Sequence, residues 1–251
     1  MVARHLSREN SLVVAEQAEN AAVPGPDPTW ANLYKAGGIT AFLYLLLGLI
    51  VPTLMVDLMG YDMDLHGAAF LEFVGNNKAW FIAVQTMVLG VGVLAVVTFA
   101  ALFFALKHLD KGYAALGVII AITMQILFVA YYPVVLGQAY MSQLYITADP
   151  AQQMELVASV EVLVAQINQF NPLYEPAFAI SILIISLVML KGVFHKAVAY
   201  LGIATCIGAF VGAALWPVIG VAYFVWWLPF MFWFAAVGWK LYRLGTAQPE
   251  L

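Results

Sequence analysis

The stretch VLGVGVLAVVTFAALFFAL, residues 88–106, contains no charged side chain and no polar one but a single threonine. It is apolar on every side of any helix or strand drawn through it, so it must be surrounded by apolar matter. A bilayer core of about 30 Å takes roughly 20 such residues in a helix. In lipid only helices and closed barrels satisfy the backbone. A barrel strand would alternate apolar and polar residues over about ten positions, and this run does not. It predicts a transmembrane helix.

The rest of the chain extends that conclusion. Of 251 residues, 64 % are hydrophobic and 10 % charged, and the mean hydropathy is +0.92, well beyond what a soluble core of this length needs. Six segments have the length and apolarity of spans: 36–58, 79–106, 112–146, 173–192, 197–216 and 219–241. The expected fold class is therefore all-α, a polytopic membrane protein of six transmembrane helices. Residues 1–33 read as a mobile cytoplasmic tail without a signal-peptide core, 34–244 as the transmembrane domain, and 245–251 as a C-terminal tail.

Basic residues orient the spans. Arg4, Arg8, Lys35, Lys107, Lys111, Lys191, Lys196, Lys240 and Arg243 fall on one side of a six-span chain, and Lys78 on the other. Basic loops stay inside, so both termini are expected in the cytoplasm of a bacterial inner membrane. The net charge of -4, with no long basic run, excludes a nucleic-acid partner. Cys206 stands alone, so neither an internal disulfide nor a thiolate-rich metal site is available.

A second helix type is written into TADPAQQMELVASVEVLVAQINQF. Asp149 is an N-cap, Pro150 takes the first helical position, and Gln152 stands three residues after the cap. Leu156, Val160, Leu163, Ile167 and Phe170 step by four and three, giving one apolar stripe. An amphipathic helix at about 149–170, lying as a cap on the extracytoplasmic face, is the expectation. Its partner surface is the overlong third span, which either bends at Pro133 or projects outward. The loop GYDMDLHGAAFLEFVGNNKAW is expected beside it.

Ionisable groups within spans are costly and mark function by default. Asp57 and Glu175 are the two, both toward the outer ends of their spans, and Gln85, Tyr131, Tyr132 and Gln138 lie in the same half, with Gln125 deeper. The segment NQFNPLYEPAFAI places Asn171 as N-cap and Pro172 at the first helical position, so Glu175 is expected in the first turn of span four, stabilised by the helix dipole. Pro176 then removes one backbone bond. The candidate ligand-binding residues are Glu175, Asp57, Gln138, Tyr132 and Gln85. The aromatic run AYFVWWLPFMFWF is also able to hold a hydrophobic ligand. Ala204, Gly208 and Gly212 form a small-residue face suited to intramolecular packing or to a homodimer.

No catalytic constellation is legible: there is no nucleophile elbow, HExxH motif, phosphate loop or dinucleotide fingerprint. His5, His66, His108 and His195 lack partners at helical spacing within a span, so neither a metal nor a haem cofactor is expected.

LKGVFHKAVAYLGIATCIGAF, followed by an apolar helix ending FAAVGWKLYRLG, resembles the end of the bacterial six-helix membrane family known as domain of unknown function 4386 (DUF4386). In that family an SGVFPRWLGYLGI-like turn joins two late spans; here Lys191 to Ile203 occupy it, with His195 and Lys196 where Pro and Arg are usual. AGGITAFLYLLLGLIVP is similar to the family's opening helix, so the resemblance covers 33–244. It implies a six-span helical fold and carries over no catalytic residues. The leading functional expectation is a non-enzymatic module that binds a lipid or small amphiphile in an outward-facing pocket. The rivals are a structural or assembly subunit, a secondary transporter using Glu175, and a lipid-modifying enzyme, for which Glu175 would need a cationic partner such as Lys78.

Overall fold

The structure, a computed structural model, describes residues 25–54, 65–219 and 227–247. Among them the regular elements are all helical. After a 3-10 turn at Pro28–Trp30 come α1 (Ala31–Thr53), α2 (Gly67–Asn76), α3 (Lys78–Leu106), α4 (Lys111–Tyr145), α5 (Pro150–Met189), α6 (Lys196–Ile219) and α7 (Trp227–Thr246). Four stretches are long and apolar enough to cross a membrane, Pro28–Val51, Lys78–Leu106, Lys111–Tyr145 and Lys196–Leu215, and Leu173–Met189 is a shorter apolar one. Leu46, Val93, Ile119, Ile126, Ile207 and Phe232 turn outward and are exposed. An apolar surface of that extent is disfavoured in water, and with the apolar helices it makes this a membrane protein.

The six long helices close into a ring in the order α1, α3, α4, α5, α6, α7 and back to α1. One end of the ring collects Lys35, Lys107, Lys111, Lys191, Lys196, Lys240 and Arg243, each at or within about two turns of its helix end. Lys191 pairs there with Asp110 at 2.5 Å, and Lys107 lies over the rings of Trp30 and Phe104. Lys78 is at the opposite end, hydrogen-bonded to Gln143.

At the basic end the helices approach closely. A Cβ on Gly38 would stand 2.7 Å from the Tyr242 backbone nitrogen, and one on Gly245 2.6 Å from the Ala31 carbonyl. Without those hydrogens-only positions α1 and α7 would be held apart. Thr98 on α3 donates to the Gly37 carbonyl at 3.2 Å and shares a hydrogen bond with Thr40. In lipid, where burying an apolar side chain against another helix gains little hydrophobic energy, such close packing and interhelical hydrogen bonding hold helices together. The core above this seam is aromatic: Phe99, Phe230, Trp233 and Phe234 are all buried within it.

One expectation is corrected. Asn171 is not an N-cap: α5 runs unbroken for 40 residues through Pro172 and Pro176, so Glu175 lies well inside it and not in a first turn. Each proline removes a backbone donor and does not end the helix, since packing on α4 and α6 holds both sides of the interruption. α4 continues through Pro133 for 35 residues. The segment before span two contains α2, entered through Gly67 at φ 54°, a left-handed conformation that glycine adopts without strain.

Asp149 does cap α5, accepting from the Ala151 and Gln152 amides at 2.9 Å. The far ends of α4 and α5 form an antiparallel hairpin, and α2 packs on it. Phe70, Leu71, Val74, Phe81, Ala139 and Val160 make a second apolar cluster there, with Leu156, Val157 and Val164 packed against it. Of the stripe predicted on residues 149–170, Leu156 and Val160 thus pack in a cluster shared with α2 and α4.

Candidate functional site

Five of the six ring helices turn side chains into one central cavity. Tyr44 comes from α1, Val88 and Val91 from α3, Gln125 and Phe128 from α4, Tyr174, Glu175 and Phe178 from α5, and Trp227 and Phe230 from α7; they line a space of about 190 Å³. At 1.5 Å per residue, Tyr44, Gln125 and Glu175 each lie roughly 20 Å from the basic ends of their helices. The site is therefore in the half of the ring away from the lysines.

Glu175 is its one carboxyl group among these residues and is 3 % exposed. The Trp227 indole N–H donates to its Oε1 at 3.3 Å. The neighbouring Tyr174 hydroxyl accepts from the Gln125 amide at 2.9 Å, which leaves the phenol's own proton to donate elsewhere. The rings around these groups form a box. Phe230 is its base, and Tyr44, Phe178 and Trp227 stand at 90°, 84° and 87° to it, with ring centroids 5.7 to 5.9 Å away. Phe128 and Tyr174 close the α4–α5 side, 5.5 Å apart.

Of the sequence-predicted residues, Glu175 lies in this cavity. Tyr132 and Gln85 are hydrogen-bonded to one another across α4 and α3, one ring removed from it through Phe128, which contacts Tyr132 at 5.9 Å. Gln138 is buried two turns further along α4, beside Ser142 and the α2 contact, and does not reach it. Asp57 lies outside the described residues. Lys78, the cation considered as a partner for Glu175, is engaged by Gln143.

Sequence reasoning missed Tyr44, Tyr174 and Trp227 as a group. Their signal was diffuse: each belongs to an aromatic-rich helix, and no spacing announces that three helices will bring them together. Gln125 did carry a signal, being a lone amide deep in an apolar span.

Other polar groups lie apart. The Ser186 hydroxyl and Trp233 indole N–H are buried without a hydrogen-bond partner among the described residues, both within 2.6 Å of the point a Gly202 Cβ would occupy. An open groove on α4 and α5, lined by Tyr131, Val162, Gln166, Phe170 and Leu173 among others, has Phe170 stacked on Tyr131 at 4.3 Å. In the connection between α3 and α4, burial pulls the His108 imidazole below its usual value. Asp110 is held below the usual carboxyl range by its hydrogen bonds from Lys191 and the Tyr113 amide. No group of three or more His, Cys, Asp or Glu gathers at metal-binding distance among the described residues.

These features define a helical membrane protein with an aromatic cavity that holds one carboxyl group among the described residues. No family model, curated protein or solved structure matches the chain.

Proposed function

We propose that this protein is a multi-pass protein of the bacterial cytoplasmic membrane that binds a lipid or small amphiphile in the pocket around Glu175. The observation that carries the reading is a carboxyl group 3 % exposed in a cavity of about 190 Å³ lined largely by aromatic rings. A buried ionisable group in an apolar bundle is costly, and a cavity forfeits packing contacts. A chain that carries both at one point gains from a ligand there.

In this reading α1, α3, α4, the second half of α5, α6 and α7 are six spans, the number that resemblance to DUF4386 also implies. The lysine-rich end is cytoplasmic under the basic-loop rule, with both termini on that side. Roughly 20 Å from that end, in a hydrocarbon layer of about 30 Å, the pocket lies in the outer half. The α4–α5 hairpin and α2 form an extracytoplasmic cap over it.

Binding without transport fits better than a carrier. Carriers commonly place their sites at discontinuous helices near the midplane, whereas α5 is unbroken beside Glu175. Pairing of two copies through Gly208 and Gly212 has less support, because Gly212 is already buried within one chain.

Native mass spectrometry of the protein extracted directly into lipid nanodiscs tests the reading. A discrete bound mass on the wild type, absent from Glu175→Gln, is expected. Co-purified protein subunits with no bound small molecule on either form would replace the pocket with an assembly role.

A further inference from the structure

We infer that the group held in the Glu175 cavity is an organic ammonium cation, either a free alkylammonium compound or the ammonium end of a lipid headgroup. This deepens the pocket reading and rests on it. The chemistry follows from the lining. A ring face is the negative pole of the aromatic quadrupole, and an ammonium within about 6 Å of the ring centroid is attracted to it, most strongly where water is excluded. Tyr44, Phe178, Trp227 and Phe230 all border the cavity, the first three perpendicular to Phe230. Rings in more than one plane suit a rounded group better than a flat one.

Glu175 borders the same cavity, and an ammonium beside its carboxyl group favours the charged form, which then supplies the opposite charge. Trp227 joins the two, since its indole N–H orients the carboxyl group at 3.3 Å while its ring forms a wall. Gln125 and Tyr174 add neutral polar atoms on the α4–α5 side.

Other ligand classes fit less well. An anion would meet the carboxylate in a low-dielectric site, where like charges repel strongly. A hard metal ion takes six or more oxygens, and the lining offers a single carboxyl group, one amide and two phenols among six aromatic residues. An alkylammonium group uses the rings and the carboxylate together, and the volume of about 190 Å³ admits a headgroup and excludes an acyl chain. The chain would leave through the outer side.

Radiolabelled choline is the probe, with full-length protein in phosphatidylglycerol nanodiscs. The competitor is its uncharged analogue, in which a tert-butyl group replaces the trimethylammonium. Saturable choline binding is expected, at least about tenfold tighter than the analogue, with a similar loss in Glu175→Gln. Trp227→Leu, which keeps the carboxylate, should also weaken choline by several-fold while leaving the analogue nearly unchanged. Monodispersity and melting temperature of each variant show that it folds.

Repeating the measurement in phosphatidylcholine nanodiscs separates the two sources. Loss of free choline binding there means that a lipid headgroup occupies the site, and unchanged binding means a free cation. Equal binding of choline and the analogue, or an unaltered choline affinity in Glu175→Gln, overturns the inference. If the nanodisc-extracted wild type still carries its discrete bound mass, only the cation assignment falls; if it carries none and neither probe binds, the pocket falls as well.

Discussion

The two halves of the helical ring are packed by opposite means. At the lysine-rich end, backbones meet backbones: Gly38 and Gly245 leave no room for a Cβ, and Thr98 donates into the α1 main chain. At the other end the same helices present large rings, and the rings leave a space of about 190 Å³ around a carboxyl group. A close seam needs nothing but its own atoms. The space left among these rings is unfilled by protein atoms, so the chain has given up contact energy at that point. The first half holds the ring together, and the second half is free to bind.

The largest effect that would sharpen this contrast is Phe99→Ala. Phe99 packs between Phe178 and Phe234 and is wholly buried, so its truncation should cost about 3–5 kcal/mol, read as unfolding in a detergent titration. A loss below about 1 kcal/mol would show a loosely filled core there. Next comes Gly245→Ala, which drives a methyl against the Ala31 carbonyl at 2.6 Å. Overpacking of this sort costs about 1–3 kcal/mol, and the same titration measures it.

The opposite sign is expected in the other half. Val91→Phe adds bulk to the cavity wall and should be neutral or stabilising by about 0.5–2 kcal/mol, while removing the bound mass seen by native mass spectrometry. Destabilisation as large as that of Gly245→Ala would mean that no usable space exists beside Val91, and the contrast would break.

The smallest effect is at the basic rim. Asp110 has its carboxyl value lowered chiefly by the hydrogen bond from Lys191. Its contribution is therefore present above the ordinary value of 3.8 and is lost as the pH falls through the lower folded value. Melting temperature measured against pH should show a slight extra fall below 3.8 in the wild type that Asp110→Asn lacks.

The long apolar helices were legible because continuous runs such as residues 88–106 admit little else in lipid. Asp149 was legible as a cap because cap chemistry is local. The course of α5 was not. Asn171 and Pro172 carry the local signals of a helix start, and packing against α4 and α6 overrides them, as tertiary contact commonly overrides local preference. Glu175 stood out as an acid in an apolar segment, whereas Tyr44 looked like any interior aromatic and Trp227 was marked only as one of an aromatic run. Their meeting depends on the ring closing between α1 and α7, near opposite ends of the chain. Gln138 drew notice by the same polarity as Glu175 and is buried further along α4, outside the cavity lining, because burial of an amide alone does not tell which neighbour it faces.

The most direct test of the central claim is an electron cryomicroscopy map of the protein in lipid nanodiscs, at a resolution that separates aromatic side chains. The account predicts an unbroken α5 past Pro172 and Pro176, with non-protein density enclosed between Phe230 and Glu175. Side chains of Tyr44, Tyr174 and Trp227 collapsed onto Phe230 with no space between them, or Glu175 turned out to the lipid, would contradict it.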